Sequence, residues 1–339
     1  MKASSAMKAI QFSRFGGPEV LEYVDVPAPI PAAGEVLIEV AAAGVNYPDI
    51  RERLGVYNRA ETKVGGVVLP RITGLQAAGV VREVGSQGDR SLLGKKVLAM
   101  LTKGGGYAQF VTAPSVMSVP LSDGADDVTM AALPCQGLTA WLTLQASTEL
   151  RPGESVLVQG GAGGVGSLAI QIAKILGAGK VIATAGTEEK RAFTRSLGAD
   201  FAVDYELADW PKAVLEQTGG RGVDVILESI GGEVFEQNFQ CLAPFGRCII
   251  FGSTRGPGKP FEPRRLMTKA QTLTGLYLPF FFQKPELVRR GLEFLVAHAL
   301  DGSLRAQVAR VLPLSQTAEA HRLLEDRKVT GILVLDPRG

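Results

Sequence analysis

The sequence predicts an α/β protein in two parts, a β-rich barrel or sandwich followed by a doubly wound parallel sheet. Three observations predict it. Residues 7 to about 120 carry short β-friendly runs, with glycine or proline every ten or so residues. Residues 156–174 read VLVQGGAGGVGSLAIQIAK, which is strand, glycine turn and helix in succession. Beyond them, strand-like and helix-like segments alternate, the signature of a parallel sheet with right-handed crossovers.

In the first part, strands fit residues 8–12, 36–40, 79–84, 96–101 and 108–112. Gly16-Gly17-Pro18 and residues 27–34 are turn-rich connections, and Gly104-Gly105-Gly106 is a flexible turn. The pattern changes near Asp126. Residues 126–133 and 136–147 read as helix, broken by Pro134. After the glycine turn come strands at 181–185, 201–203, 223–227 and 247–251, with helices at 188–197, 211–218 and 233–242. Helices fit 285–299 and 315–326, and a last strand fits 332–335. That strand matches the first part better, so the chain is expected to return there. The domains are then 7–125 with 270–339, and 126–269.

A length of 339 residues is too great for one ordinary core, which agrees with two domains. Hydrophobic content of 46% with 21% charge reads as soluble and globular. The 36 basic and 34 acidic residues nearly balance, so charge gives no case for nucleic acid or an anionic membrane. No apolar run reaches spanning length. The opening MKASSA lacks the apolar core of a secretory signal and reads as a disordered extension or a scar before a second Met-Lys-Ala at Met7. Cys135, Cys241 and Cys248 lack C-x-x-C spacing, which fits free thiols in a reducing cytoplasm.

Gly161, Gly163 and Gly166 fit G-x-G-x-x-G, with Gly164 and Val165 in the same turn. The first glycine is expected to permit the tight turn and the second the approach of a pyrophosphate. The third is expected to allow close helix–strand packing. An NAD-binding fingerprint usually has a carboxylate at the end of the next strand. Here that strand ends Thr184-Ala185-Gly186, which permits a 2′-phosphate, and Lys190 and Arg191 could pair with it. The same residues also fit a solvated helix face, with Glu188 and Glu189 suited to its N-terminus. Tyr205 could line the adenine-ribose edge or be an ordinary half-buried tyrosine. Ser229 to Gly232 and Gly252-Ser253 close two strands at the carboxyl edge of the sheet, where ligands bind in such folds.

Taken together, these residues resemble the medium-chain dehydrogenase/reductase superfamily, and within it the zinc-free quinone oxidoreductases. The resemblance covers nearly the whole chain. It runs from MKAIQFSRFGGPEVLEYVDVPAPIPAAGEVLIEVAAAGVNYPDIRERLGVY through GLTAW, the glycine loop and GTEEKRAFTRSLGAD to TGILVLDP. It implies a GroES-like β-barrel domain in two chain segments around a Rossmann-type NADP-binding domain, with the cofactor, NADPH, in the cleft between them. It implies that Lys190, Tyr205 and the backbone of Gly186 contact the 2′-phosphate. Thr139 and Asn46 match positions near the nicotinamide and its ribose, and Phe251 and Ser253 match the strand end facing the carboxamide. It also implies a homodimer, for which QTLTGLYL at 271–278 is a suitable pairing stretch; the same stretch also fits an internal core strand.

Zinc-dependent relatives carry cysteine at the Asn46 position and G-H-E where this chain has Gly74-Leu75-Gln76. Asn, Leu and Gln offer no thiolate or imidazole, so no metal site is expected. His298 and His321 suit surface or structural roles. Gln76 also departs from the acid usual in zinc-free members, and Ile332 stands where many carry lysine. Without a Lewis acid, alcohol oxidation is disfavoured. What remains is hydride delivery to a quinone or an alkene conjugated to a carbonyl, with the protein positioning the partners.

Tyr57 lies where the resembling family has a pocket-lining tyrosine, the proposed proton donor in its enoyl-reductase branch. Its ring alone could also form a wall. Two other readings are open. An enoyl-thioester reductase would want basic groups at the pocket rim, for which Arg59, Lys63, Arg264, Arg265 and Lys269 are candidates. An NADPH-binding sensor with little turnover would need no proton donor.

Overall fold

The structure is a computed structural model, and it describes residues 6–58 and 66–339. The strands are β1 Ala6–Phe12, β2 Glu22–Pro27, β3 Glu35–Val45, β4 Arg71–Ile72, β5 Gln76–Val84, β6 Lys96–Met100, β7 Phe110–Pro114, β8 Ser118–Pro120, β9 Ser155–Val158, β10 Lys180–Thr184, β11 Phe201–Val203, β12 Val223–Glu228, β13 Leu242–Ile250, β14 Thr272–Gly275, β15 Val308–Pro313 and β16 Ile332–Asp336. The α-helices are α1 Tyr47–Arg53, α2 Asp127–Ala131, α3 Pro134–Trp141, α4 Gly164–Ile175, α5 Glu188–Ser196, α6 Trp210–Gln217, α7 Gly232–Cys241, α8 Leu278–Phe281, α9 Pro285–Leu300 and α10 Thr317–Glu325. Pro134 opens α3 rather than breaking a helix, because the first helical position needs no N–H partner. A six-residue π-helix, Leu142–Ser147, follows. The sequence gives no signal for β2, β4, β8 or β15, which are short or have broken apolar alternation.

Two compact units form. The first holds the described residues up to Leu138, with Phe281–Gly302 and Ala306–Gly339; the second holds Thr139–Phe280 with Ser303–Arg305. These divisions lie 11 to 13 residues later than the expected ones at 126 and 270. Helix α2 packs on β3 and β5 and stays with the first unit, while β14 pairs with β13 and stays with the second.

The first unit is a GroES-like barrel. Strand β3 is its spine, pairing antiparallel with β5, β7 and β16. Alternate residues of β3 and its neighbours, among them Val36, Ile38, Val40, Val81 and Leu335, fill its core. The second unit is a Rossmann-type sheet of order β11-β10-β9-β12-β13-β14, all parallel. Its strand order reverses beside β9, at the topological switch point. Leu157, Ile182, Ile226 and Cys248 are buried on it with Trp210 and Phe239.

A buried polar cluster fixes α1 in the first unit. The Asn46 N–H and Tyr107 Oη both donate to Asp49 Oδ2, at 2.9 and 2.6 Å. Thr73 Oγ1 donates to Glu52 at 2.7 Å, and Arg71 joins Glu52 through Nε and a terminal nitrogen at 3.2 and 2.8 Å. Fully buried Arg53 reaches Glu325 at 2.5 Å. His321 is also fully buried, edge-on to the Tyr107 ring at 6.0 Å. Its two ring nitrogens make no hydrogen bond among the described residues. Burial pushes the Asp49 carboxyl up to about 7, against the downward pull of the Tyr107 hydrogen bond. Burial pushes His321 down to about 3, assisted by the Arg53 charge.

These two shifts act oppositely on stability. Below about pH 6.5 the unfolded chain protonates His321 and the folded one does not, so His321 makes stability fall as the medium acidifies towards pH 3. Above about pH 4 the unfolded chain ionises Asp49 and the folded one does not, so Asp49 makes stability fall as pH rises towards 7. Between these limits the two slopes cancel. We expect His321→Phe to leave the Asp49 slope alone, so that stability drops by roughly 2–3 kcal/mol from pH 4.5 to 6.5. Asp49→Asn tilts the profile the other way. Urea midpoints across this window check both, and parallel profiles for wild type and variants would refute the assignment.

Candidate functional site

The glycine turn sits at the carboxyl end of β9. Gly160 has φ of 63°, so the left-handed residue of the turn is Gly160, one position before the first glycine of the fingerprint. Gly161 is required for another reason, since a Cβ there would lie 2.8 Å from that of Ala183 on β10. Gly163 is the N-cap of α4. A Cβ at Gly166 would lie 2.3 Å from the Gly160 carbonyl oxygen, so α4 approaches its own turn more closely than any side chain allows. A Cβ at Gly163 would meet only that oxygen, at 3.4 Å, leaving the space before the first N–H groups of α4 open to an anion. Gly164 and Val165 lie in that first turn.

A buried hydrogen-bond relay holds the turn across three strand ends. Thr184 Oγ1 accepts from the Gly160 N–H at 3.2 Å and donates to Gln159 Oε1 at 2.6 Å. Gln159 Nε2 donates to Asn238 Oδ1 at 2.7 Å. The Asn238 amide then donates to Glu228, whose other oxygen accepts the N–H groups of Ile230 and Gly231, both at 2.6 Å. Burial raises the Glu228 carboxyl, while these donors pull it back. The relay brings Ser229, after β12, beside the turn: a Cβ at Gly160 would lie 3.6 Å from Ser229 Oγ. The loop after β13 completes the edge, with the Phe251 N–H on the Glu228 carbonyl and the Thr254 N–H on the Ser229 carbonyl, both at 3.0 Å. Phe251 and Ser253 are therefore on this edge, and both are half-buried.

Gly186 follows β10, and Thr187 caps α5 by accepting the Lys190 N–H at 3.3 Å. Lys190 is on the first turn of α5. Tyr205 follows β11, its hydroxyl 3.6 Å from where a Gly186 Cβ would stand. Arg191 is not available to a phosphate as expected. Its guanidinium is held by Asp204 at 2.7 Å, Glu188 at 3.0 Å and the Ala185 carbonyl at 3.2 Å. Two further residues meet Gly186 and Tyr205 here. Glu206 Oε1 would lie 3.4 Å from a Gly186 Cβ. Arg255, on the loop after β13, pairs with Glu206 and covers the Tyr205 ring at 4.8 Å. Neither had a local signal, since the spacing rule looks to the strand end at 185 and these residues arrive from two later loops.

Asn46, between β3 and α1, is buried, and its Oδ1 has no partner among the described residues. Its side-chain amide donates to the Gly44 carbonyl at 3.3 Å and to Asp49 at 3.4 Å. The spacing Asn46-x-x-Asp49 at a helix start could have drawn attention to Asp49. Gln76 accepts the Cys135 N–H at 2.5 Å through its Oε1. Tyr57 is half-buried in a turn, Val56–Asn58, with the Arg51 guanidinium 6.0 Å from its ring centre. Thr139 is buried on α3 in the second unit. Among the rim candidates, Arg265 is tied to Glu236 at 3.1 Å and stacks on Phe239 at 4.8 Å. Arg59 and Lys63 lie outside the described residues, as does most of the opening hexapeptide. No group of three or more His, Cys, Asp or Glu among the described residues is placed to hold a metal ion.

A GroES-like barrel joined to a Rossmann-type sheet with an open glycine cradle defines a dinucleotide-dependent dehydrogenase or reductase by class. Residues 32–123 match the alcohol dehydrogenase GroES-like domain, and residues 164–296 match a family described as zinc-binding dehydrogenase. The chain is 34% identical to a quinone oxidoreductase of Pseudomonas aeruginosa, over 97% of this chain and 99% of that one. It is 32% identical to a 2-haloacrylate reductase of a Burkholderia species, over 95% and 97% respectively. The solved structure of an Escherichia coli quinone oxidoreductase complexed with NADPH superposes with a TM-score of 0.89 at 30% identity, covering 97% of this chain and 100% of that one. The chain belongs to the zinc-independent quinone oxidoreductase family of the medium-chain dehydrogenase/reductase superfamily.

In the second unit, the open space before Gly163 and the first N–H groups of α4 fit an anionic group of a pyridine dinucleotide. Two glycine variants separate cradle from scaffold. Gly163→Ala should hold its melting temperature within a few degrees yet weaken dinucleotide binding at least tenfold, because the methyl enters the open space. Gly166→Ala should cost about 3 kcal/mol or more, because the clash is with backbone that cannot step aside. Thermal unfolding beside cofactor titration reads both, and equal stability losses would contradict the division of roles.

Proposed function

We propose that the protein is an NADPH-dependent reductase of quinones and α,β-unsaturated carbonyl compounds, working without zinc. One observation carries the reading: near-full-length likeness to quinone oxidoreductases with Asn46, Leu75 and Gln76 at the positions where metal-dependent relatives hold ligands. This donor set supplies no thiolate or imidazole. The Burkholderia relative is named a 2-haloacrylate reductase, and an acrylate is an alkene conjugated to a carboxyl group, which supports the enone arm.

When bound, NADPH supplies a hydride. The chain's part is to bind, orient and complete the proton balance. In this reading, the first turn of α4 receives the pyrophosphate, and Lys190, Tyr205 and Gly186 receive the 2′-phosphate. Thr139, Ser229, Phe251 and Ser253 line the nicotinamide half, with Asn46 Oδ1 as an acceptor for a ribose hydroxyl. Hydride delivery to a quinone or an enone leaves negative charge on an oxygen, and the Tyr57 hydroxyl donates to it. A neutral phenol does this without becoming charged first. The protein works as a cytoplasmic homodimer in this proposal. Its three cysteines are buried and form no disulfide among the described residues, no helix among the described residues is long and apolar enough to cross a membrane, and β14 is the outer strand of its sheet, with an edge suited to a second copy.

Two variants test the chemistry together. Lys190→Ala should weaken NADPH binding at least tenfold, as loss of a charge-assisted contact of about 1.5–3 kcal/mol requires, and leave NADH nearly unchanged. Tyr57→Phe should lower enone turnover about 10²-fold at unchanged NADPH affinity, with a smaller loss for quinones, whose reduced anion is delocalised. Unchanged enone turnover would reduce Tyr57 to a wall residue. Light scattering at micromolar concentration should give a mass twice the 35.8 kDa of one chain, and a monomer mass would reject the dimer.

A further inference from the structure

Around Gly186 the second unit gathers one cation and one anion that the spacing of the sequence does not disclose. Glu206 follows Tyr205 directly, and Arg255 comes from the loop after β13, 49 residues away. Their side chains form an ion pair. The pair lies on Tyr205: the Arg255 guanidinium covers its ring at 4.8 Å, and both Glu206 Oε1 and the Tyr205 hydroxyl would be within 3.6 Å of a Gly186 Cβ. Both backbones are anchored. The Arg255 N–H donates to the Ile230 carbonyl at 2.7 Å. The Glu206 N–H donates to Asp204 at 3.0 Å, and Asp204 is itself held by Arg191 at 2.7 Å. The two side chains remain 30% and 48% exposed, so they can exchange partners without disturbing the core.

We propose that Arg255 and Glu206 form an exchangeable ion pair that sets the choice between NADPH and NADH. Arg255 is the further ligand of the 2′-phosphate, and Glu206 is the carboxylate it leaves when the phosphate arrives. The inference rests on the cofactor reading above and adds its discriminating groups. The chemistry is that of a planar guanidinium, which binds a phosphate through two parallel hydrogen bonds at least as well as a carboxylate. Stacked on Tyr205, it keeps its orientation through the exchange. The carboxylate has the reverse effect: close to the ribose, it repels a 2′-phosphate and accepts a 2′-hydroxyl. With Arg255 in place the site favours NADPH, and Glu206 limits the preference.

Quenching or enhancement of nicotinamide fluorescence gives affinities for NADPH and NADH without turnover, and calorimetry with 2′,5′-ADP and 5′-AMP isolates the adenosine end. Arg255→Ala should weaken NADPH and 2′,5′-ADP at least tenfold, and NADH and 5′-AMP less than twofold. Glu206→Gln should tighten NADPH three- to tenfold and weaken NADH, an effect that loss of a mere surface ion pair does not produce. Arg255→Ala with unchanged NADPH affinity, or Glu206→Gln with weaker NADPH binding, would overturn the proposal while the cofactor reading stands. A wild-type protein that binds NADH as tightly as NADPH would instead overturn the cofactor reading, and this proposal with it.

Discussion

The second unit depends on the approach of α4 to the turn that launches it. With 2.3 Å between a notional Gly166 Cβ and the Gly160 oxygen, helix and strand meet backbone to backbone. That contact brings the N-terminus of α4 close against the end of β9 and aims its free N–H groups along the sheet edge. The turn stays in place because its polar groups are satisfied from below. The relay from the Gly160 N–H through Thr184, Gln159 and Asn238 to Glu228 joins the ends of β9, β10 and β12 to α7. A buried network of this kind gains rigidity only when every member is paired, which here includes two backbone N–H groups on Glu228.

Charge is arranged in the opposite manner at the adenosine end. There the groups are partly exposed and share partners. Arg191 is held by three acceptors and shapes the loop that carries Tyr205 and Glu206. Lys190, one residue earlier, points from a different face of the same helix, as a 100° step per residue requires. Adjacent cations in the sequence thus divide into one that builds the site and one proposed to serve it.

The first unit shows how a barrel tolerates buried titratable groups. Asp49 and His321 each resist charging, in opposite senses, and both contact Tyr107. Their contributions to the pH dependence of stability oppose one another between about pH 4 and 6.5. The same cluster fixes the Asn46 backbone through Asp49, so a residue at the end of β3 has a defined place before any ligand binds.

While several short strands of the first unit were not legible in the sequence, the parallel sheet with its alternating helices, the strand–glycine turn–helix and the return of the last strand to the barrel were. Each rests on local periodicity or on glycine spacing, which short-range sterics control. Gly163 and Gly166 were readable for the same reason. The division between units was displaced by about a dozen residues, since whether α2 and β14 join one core or the other depends on packing partners far along the chain. The left-handed turn residue, the capture of Arg191 by Asp204 and the pairing of Gln76 with the Cys135 N–H were decided by tertiary structure. So was the meeting of Glu206 with Arg255 beside Gly186, because residues from separate loops come within reach of one another only when the sheet sets its strands side by side, about 5 Å apart.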